Sequence, residues 1–326
     1  MRALVTVGRA VAVAAVVTII LFACATAVIR QPIVTFGLGP QAAHFASADR
    51  LRRGVRFLTT AVRPRDVGHA SNLNQASAYI ANEFAGAGAR VGIQEFTARR
   101  QRFRNVIAEF GPAESTEPLL IIGAHYDAFS DGGDFPGADD NASGASALVE
   151  LARVLRGRRI VRPVMLVAYA NEESPFFGSE EMGSAVHASS LEEQHRRVAG
   201  MICLEMIGYY TVVQRWDSWV LRWMYPRRGD FIGVAGGWSD RHLAVSVKRA
   251  LASAGAHAVS FTGPRTMLDA SDQRNYWSHR WPAVMVTDTA YERNPNYHTA
   301  RDTAETLDYE RMARVVDGLA RFVTER

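Results

Sequence analysis

The chain predicts an α/β fold, a three-layer α/β/α sandwich around a mixed and mostly parallel central sheet, on three observations. Residues 119–124, 164–170, 199–206 and 283–287 are continuously apolar rather than alternating, as strands covered on both faces are. Helical stretches at 143–156, 178–188, 240–254 and 309–324 fall between or after them, and strands alternating with helices make layered sheets. Polar clusters, His125-Tyr126-Asp127, the segment 137–144 and Asn171-Glu172-Glu173, stand just after apolar runs, where the open ends of an α/β sheet form its crevice.

From the N-terminus, residues 10–29 carry no charge, are dominated by Ala, Val, Ile, Leu and Phe, and lie between Arg9 and Arg30. About 20 such residues suffice to span a bilayer, so residues 1–30 are expected to form an uncleaved transmembrane anchor. Arg2 and Arg9 favour a cytoplasmic N-terminus. The rest of the chain is then outside the cytoplasm, periplasmic or extracellular. The same segment allows removal as a signal peptide at Ala25-Thr26-Ala27, or lipid attachment at Cys24. Against cleavage, a signal-peptide apolar core is shorter, about 7–15 residues. Against the lipid, Phe22 is bulky and the apolar run continues past Cys24. Residues 31–48, with Pro32, Gly37, Gly39 and Pro40, have no period and suit a linker, so the folded domain is expected over 49–326.

A length of 326 residues with 48% hydrophobic content supports a large core. The formal charge of +4 is concentrated at the N-terminus: without Arg2, Arg9 and Arg30 it falls to +1. That excludes the basic footprint of a nucleic-acid partner. Lys248 is the single lysine among 37 basic residues, a bias that reflects genome composition more than function. Outside the anchor only Cys203 remains, in the apolar context Met201-Ile202-Cys203-Leu204, so no intrachain disulfide is expected and the thiol reads as a small buried hydrophobe.

Within the domain, residues 51–62 read as a helix by composition, and a second helix places Leu73, Ala76, Ile80 and Phe84 near one face before Gly86 and Gly88 end it. Residues 91–97 and 103–110 then read as an antiparallel edge pair turning at Arg99-Arg100-Gln101. The aromatic-rich stretch 209–238, with Trp216, Trp219, Trp223 and Tyr225, reads as an insertion packing on the domain; the alternatives are a pocket wall or a contact with membrane or partner.

Several side chains stand out chemically. His125 follows an apolar run directly in His-x-Asp spacing, so Asp127 is placed to hold the imidazole tautomer. Asp140 sits where a loop meets the helix beginning at Ser143, a position that by itself suits an N-cap. Glu172 and Glu173 end another run and can divide into one ligand and one base. Glu205 is the most informative acid, because it lies inside the apolar run 202–207, where an unpaired carboxylate is costly. His298, in Asn296-Tyr297-His298-Thr299, follows the last strand and a polar loop. Imidazole and carboxylate oxygens together are ligands suited to Zn²⁺.

The order His-x-Asp, Gly-Ala-x-Asp-Asn-x-Ser-Gly, Asn-Glu-Glu, Leu-Glu-Met-Ile-Gly and Tyr-His-Thr resembles the M28 peptidases, the co-catalytic zinc aminopeptidases and their relatives. The resemblance spans about residues 50 to 326 and includes the Tyr79-Ile80 helix and the strand Asn105-Val106-Ile107-Ala108. It implies two Zn²⁺ ions per chain: His125 and Glu205 on one, Glu173 and His298 on the other, Asp140 bridging both. It further implies Glu172 as general base, Tyr297 as oxyanion stabiliser and a cis peptide bond at Asp140-Asn141. Two positions depart from the common pattern: most relatives have Asp at the place of Glu205, and bacterial members often have His at the place of Gln273.

The implied activity is metal-assisted hydrolysis of peptide bonds, with Glu172 moving the proton. Removal of residues from the amino end is expected, since carboxylates crowd the site and favour an ammonium over a carboxylate. A carboxypeptidase would need an arginine fork, for which Arg274 and Arg293 are the candidates. The rival readings are a glutaminyl cyclase-like transferase with one zinc, and a catalytically inactive membrane-anchored binding ectodomain; all five ligands and the base are present, which favours the peptidase.

Overall fold

The computed structural model describes residues 2–32 and 44–324. Most of the expected linker, residues 33–43, therefore lies outside the described residues. The elements in chain order are α1 (Arg2–Arg30), α2 (Ala48–Arg56), α3 (Ala70–Gly86), β1 (Arg90–Ala98), β2 (Gln101–Phe110), β3 (Leu119–His125), α4 (Gly144–Leu155), β4 (Val164–Tyr169), α5 (Gly183–Glu193) and β5 (Val198–Glu205). They continue with α6 (Trp219–Met224), β6 (Ile232–Gly237), α7 (Arg241–Ser253), β7 (Ala258–Gly263), α8 (Gln273–Ser278), β8 (Ala283–Thr287) and α9 (Tyr309–Thr324).

The eight strands form one sheet in the order β1-β2-β4-β3-β5-β8-β6-β7. The central strands β4, β3, β5 and β8 are mutually parallel, while β2 and β6 pair against β4 and β8 in the antiparallel sense. Alternation along the central strands divides the core into two layers. Leu120, Ile122, Ile202 and Leu204 face a cluster containing residues of α2, α3, α4, α7 and α9. Leu119, Ile121, Met201 and Cys203 face a second cluster with Ala188 and Leu191 of α5 and Tyr276 and Trp277 of α8. This is the expected three-layer sandwich, and it explains the continuous apolar runs: successive side chains enter opposite cores, and both are dry.

The β1–β2 edge hairpin forms as expected, closing at Arg99 and Arg100, both with positive φ (46° and 68°), as a tight two-residue hairpin turn requires. The helix expected over 178–188 starts later, at Gly183. The residues before it are shaped by the site: Gly178 has φ 78°, and the Gly183 N–H is held by the Ala170 carbonyl at 2.9 Å. Strands β6 and β7 and helices α6 and α8 are not legible in the sequence. The insertion reading of 209–238 is corrected in part, because Ile232–Gly237 form β6, a full member of the sheet. Trp216, Met224, Tyr225 and Phe231 instead build a third apolar cluster with Val259 of β7.

Within α1, the stretch Val7–Arg30 contains 18 successive residues of mean hydropathy 2.7, none of them buried. Length and composition suffice to cross a membrane, and a signal sequence has the same properties.

Candidate metal centre

The parallel strands β4, β3 and β5 point their C-terminal ends the same way. The chain leaves β3 for β4 on one side and reaches β5 on the other, the switch of direction that opens a crevice in α/β sheets. His125 is the last residue of β3 and Glu205 the last of β5. Asp140 lies in the π-helical turn Ala138–Ser143 ahead of α4, and Glu172 and Glu173 follow β4 by three and four residues. His298 comes from the loop after β8. Asn171, Met206 and His298 all have left-handed backbone (φ 60°, 48° and 52°). Such conformations persist only where the surroundings over-determine them. The Asp140–Asn141 peptide bond is cis.

Two triads result, His125–Asp140–Glu205 and Asp140–Glu173–His298, and each could hold a metal ion. His125 Nε2 is 3.3 Å from Asp140 Oδ1 and 3.3 Å from Glu205 Oε2. His298 Nε2 is 3.1 Å from Asp140 Oδ2 and 3.4 Å from Glu173 Oε2. Both imidazole Nε2 atoms and Glu173 Oε1 are buried without a hydrogen-bond partner. Ligands about 2.0–2.1 Å from a tetrahedral Zn²⁺ lie about 3.3–3.4 Å from one another. The separations therefore match the edges of coordination tetrahedra, and the donors, one imidazole and two carboxylates per triad, are of the right chemistry.

Charge points the same way. Burial pushes the Glu172 carboxyl well up, as do its neighbours Glu205 and Glu173 against the pull of His125. Glu205 is raised for the same first reason, and burial together with Asp140 pushes Glu173 up to about 7. Burial lowers the His298 imidazole, but Asp140 and Glu173 outweigh it and carry it up to about 9. Asp140, between both histidines, is held well below the usual carboxylate range in spite of burial. A cluster with four carboxylates and two imidazoles is short of positive charge, and bound dications supply it.

The surrounding residues set the geometry. Asp127 Oδ1 stands 3.4 Å from His125 Nδ1, and its two oxygens accept the backbone N–H groups of Glu172 (3.2 Å) and Glu173 (3.0 Å). Asp127 thus holds the glutamate loop more firmly than the imidazole, a role that the His-x-Asp spacing does not reveal. The His298 ring lies between Phe129 and Tyr297, stacked at centroid distances of 3.9 and 3.8 Å. The Tyr297 hydroxyl is pushed far above its ordinary value by burial and the nearby carboxylates, so it keeps its proton. A cleft of about 380 Å³ opens over these groups, walled by Phe129, Phe177, Asp269 and Ala270. A larger cavity of about 600 Å³, beside Arg162, Ala199 and Pro282, contains none of them and lies at the opposite ends of the central strands.

The profile of peptidase family M28 matches residues 105–323. The chain is 46% identical over 291 residues to YfbL of Escherichia coli (strain K12), covering 86% of this chain and 88% of that one. The chain belongs to peptidase family M28. Membership together with the two triads makes this M28 chain a hydrolase of the metallopeptidase class, and zinc the metal to which its relatives point. A probable leucine aminopeptidase of Trichophyton verrucosum (strain HKI 0517) is 27% identical over 233 residues, 68% of this chain and 56% of that one, so the M28 chain spans little more than half of that fungal relative. BSAP, a zinc aminopeptidase from Bacillus subtilis, shares the fold with TM-score 0.69 at 16% identity, covering 87% and 96% of the two chains. A glutaminyl cyclase from Porphyromonas gingivalis shares it with TM-score 0.66 at 19% identity, covering 86% and 98%.

Other candidates of this M28 chain fall away from the centre. Arg293 is buried and spends its guanidinium on Gln214 and the Phe231 carbonyl, and Arg274 lies over the outer Phe177 ring, 3.8 Å from Asp269. Gln273 is buried, with its amide donating to the Leu268 carbonyl, and none of the aromatic residues of 209–238 lines the cleft. Three positioning residues escaped the sequence. Arg65, fully buried, donates to the carbonyls of Leu58, Tyr126, Pro136 and Gly137 and so joins the His125 and Asp140 loops. Asp302 accepts the N–H groups of Asp139 and Asp140, and Ser271 donates to Glu205 Oε2 at 2.6 Å. The only local signal was the acid four residues after His298; Arg65 and Ser271 had none.

Proposed function

We propose that this chain is a zinc-dependent aminopeptidase that binds two zinc ions through a shared Asp140. His125, Asp140 and Glu205 would hold one ion and Asp140, Glu173 and His298 the other. When bound, zinc supplies Lewis acidity and a water of lowered pKa. Glu172 belongs to neither triad, so its carboxylate is available to take the proton of the attacking water and return it to the leaving amine. The Tyr297 hydroxyl, which keeps its proton, donates to the oxygen on which charge develops. Asp127 holds both glutamates through their backbone, and the Phe129 ring fixes the His298 imidazole.

The observation that carries the amino-end preference is the charge of the cleft. Asp140, Glu172, Glu173, Glu205 and Asp269 line it, and among the described residues no arginine or lysine does. Two bound dications would balance the four carboxylates around them, which leaves Asp269 as the acid of the cleft that favours an α-ammonium over a terminal carboxylate. A peptide series tests this: acetylation of the N-terminus should abolish cleavage and amidation of the C-terminus should change little. The reverse pattern would make the enzyme a carboxypeptidase. Zinc analysis tests the shared ligand, since Asp140→Ala should lower both zincs together, and one tightly held zinc unaffected by that change would refute the bridge.

The glutaminyl cyclase neighbour supports a second reading, a transferase acting on an N-terminal glutamine. The presence of both triads, the one with His125 and Glu205 as well as the one with Glu173 and His298, favours hydrolysis. Release of ammonia from Gln-peptides without chain shortening would reverse that preference. We also infer that residues 1–30 stay attached as a membrane anchor, followed by the 31–48 linker, with the catalytic domain 49–326 outside the cytoplasm. The end of α1 supports retention: Lys248 Nζ donates to the carbonyls of Arg30 (2.7 Å) and Gln31 (2.8 Å), and Ser260 Oγ also donates to Arg30. A cationic side chain on the last carbonyls of a helix is a favourable cap.

A further inference from the structure

The anchor is built into the domain. Besides the Lys248 and Ser260 contacts, Gln31 Nε2 donates to Thr262 Oγ1 at 3.0 Å, and Ile29 packs on the third apolar cluster beside Val220 and Leu221 of α6. The Phe22 ring of α1 meets the Trp223 ring of α6 edge to face, with centroids 6.4 Å apart. Phe22 precedes Ile29, the last apolar residue before Arg30, by seven positions, which is about 10 Å along a helix axis. If α1 spans a bilayer between Arg9 and Arg30, the Trp223 ring is at a depth of about 10 Å, where interfacial helices bury their apolar faces (about 5–10 Å).

The composition of α6 fits that depth. Trp219 and Trp223 are each 73% exposed, a large apolar area for so short a helix to present to water. Arg215, Arg222 and Arg227 are exposed around them and form no ion pair among the described residues. Tryptophan flanked by arginine is the composition of a membrane–water boundary, the indoles at the headgroup–acyl boundary and the guanidinium groups on lipid phosphates. We propose that α6 is a membrane-seating element, which inserts Trp219 and Trp223 into the outer leaflet region beside α1 and holds the catalytic domain against the bilayer in one orientation. The partner is the lipid bilayer. This rests on retention of α1 as an anchor, because α1 sets the depth of Trp223.

The test uses the full chain purified from membranes and placed in lipid nanodiscs whose acyl chains carry bromine, a short-range quencher of tryptophan fluorescence. Intact mass first reports whether residues 1–30 are present. With the anchor intact, bromolipid should quench the wild-type emission strongly, and the Trp219→Phe/Trp223→Phe variant should lose most of that quenching. Trp238→Phe, which alters an exposed indole at the other end of β6, should retain it. An intact anchor with quenching unchanged in the double variant, as when these rings contact a second copy instead of lipid, overturns the seating of α6 and leaves the anchor standing. A chain recovered without α1 overturns both. Replacement of exposed indoles by phenylalanine leaves the core untouched, and a melting temperature equal to wild type verifies it.

Discussion

Replacing Arg65 by methionine should destabilise the metal-free domain by about 5 kcal/mol. The guanidinium is completely buried and makes four hydrogen bonds of 2.6 to 2.9 Å to backbone carbonyls. Each carbonyl left without a partner costs about 1–3 kcal/mol, so four cost about 8 kcal/mol at the middle of that range. Burial pulls the Arg65 group down to about 10, against the charges of Asp127 and Asp302. Relative to its ordinary value near 12.5 this is a penalty of about 3 kcal/mol for burying the charge, which methionine recovers. The hydrogen bonds win by about 5 kcal/mol. At about 2–4 °C per kcal/mol for a domain of this size, thermal melting in chelator should fall by about 10–20 °C. Chelator is needed because bound metal adds its own stabilisation. Arg65→Lys should recover only part of the loss, since an ammonium has three donors and no planar fork. A melting temperature of Arg65→Met within a few degrees of wild type would refute the accounting, and would mean that water replaces the side chain.

Three further outcomes follow from the site and the anchor. Glu172→Gln should lower turnover by about 10² to 10⁴ with zinc content unchanged, whereas Glu173→Gln should lower zinc content; kinetics and metal analysis on both variants would expose a reversed assignment. The metal-free domain should lose stability as pH rises from about 4.5 to about 9. Glu173, raised to about 7, and His298, raised to about 9, bind more protons folded than unfolded, and such a difference gives a falling slope with pH. Zinc displaces those protons, so the loaded protein should not show the decline; parallel melting curves with and without chelator decide it. Protease added to intact spheroplasts should digest the domain and spare residues 1–9, and a domain protected until lysis would place it in the cytoplasm.

How much was legible in advance follows from the range of the interactions. The central strands could be read because burial on both faces leaves a local mark, a continuous apolar run such as that of β3 or β8. The metal-centre candidates could be read for a related reason: the open ends of parallel strands are where polar groups gather, so His125 stands out at the end of its apolar run and Glu205 within its own. By contrast, β6 reads Ile-Gly-Val-Ala-Gly-Gly, and glycine argues locally against a strand. Only the sheet shows why they are there: a Cβ on Gly233 would fall 2.5 Å from the Phe261 ring and one on Gly236 3.0 Å from Val284.

Side chains that work at a distance were decided by the tertiary structure alone. Arg65 reaches Gly137 across 72 positions, Ser271 reaches Glu205 across 66, and Asp302 reaches Asp139 across 163. No window of sequence contains both members of such a pair. Lys248 is the clearest case. The sequence marks it as the single lysine of the chain and suggests nothing more, because the partner that gives it a role, the last carbonyls of α1, lies more than 200 positions away. Sequence determined which residues are apolar, which could bind metal and which segment could cross a bilayer; folding decided which of them meet, because the free energy of a buried hydrogen bond depends on a partner that only the packed chain brings within reach.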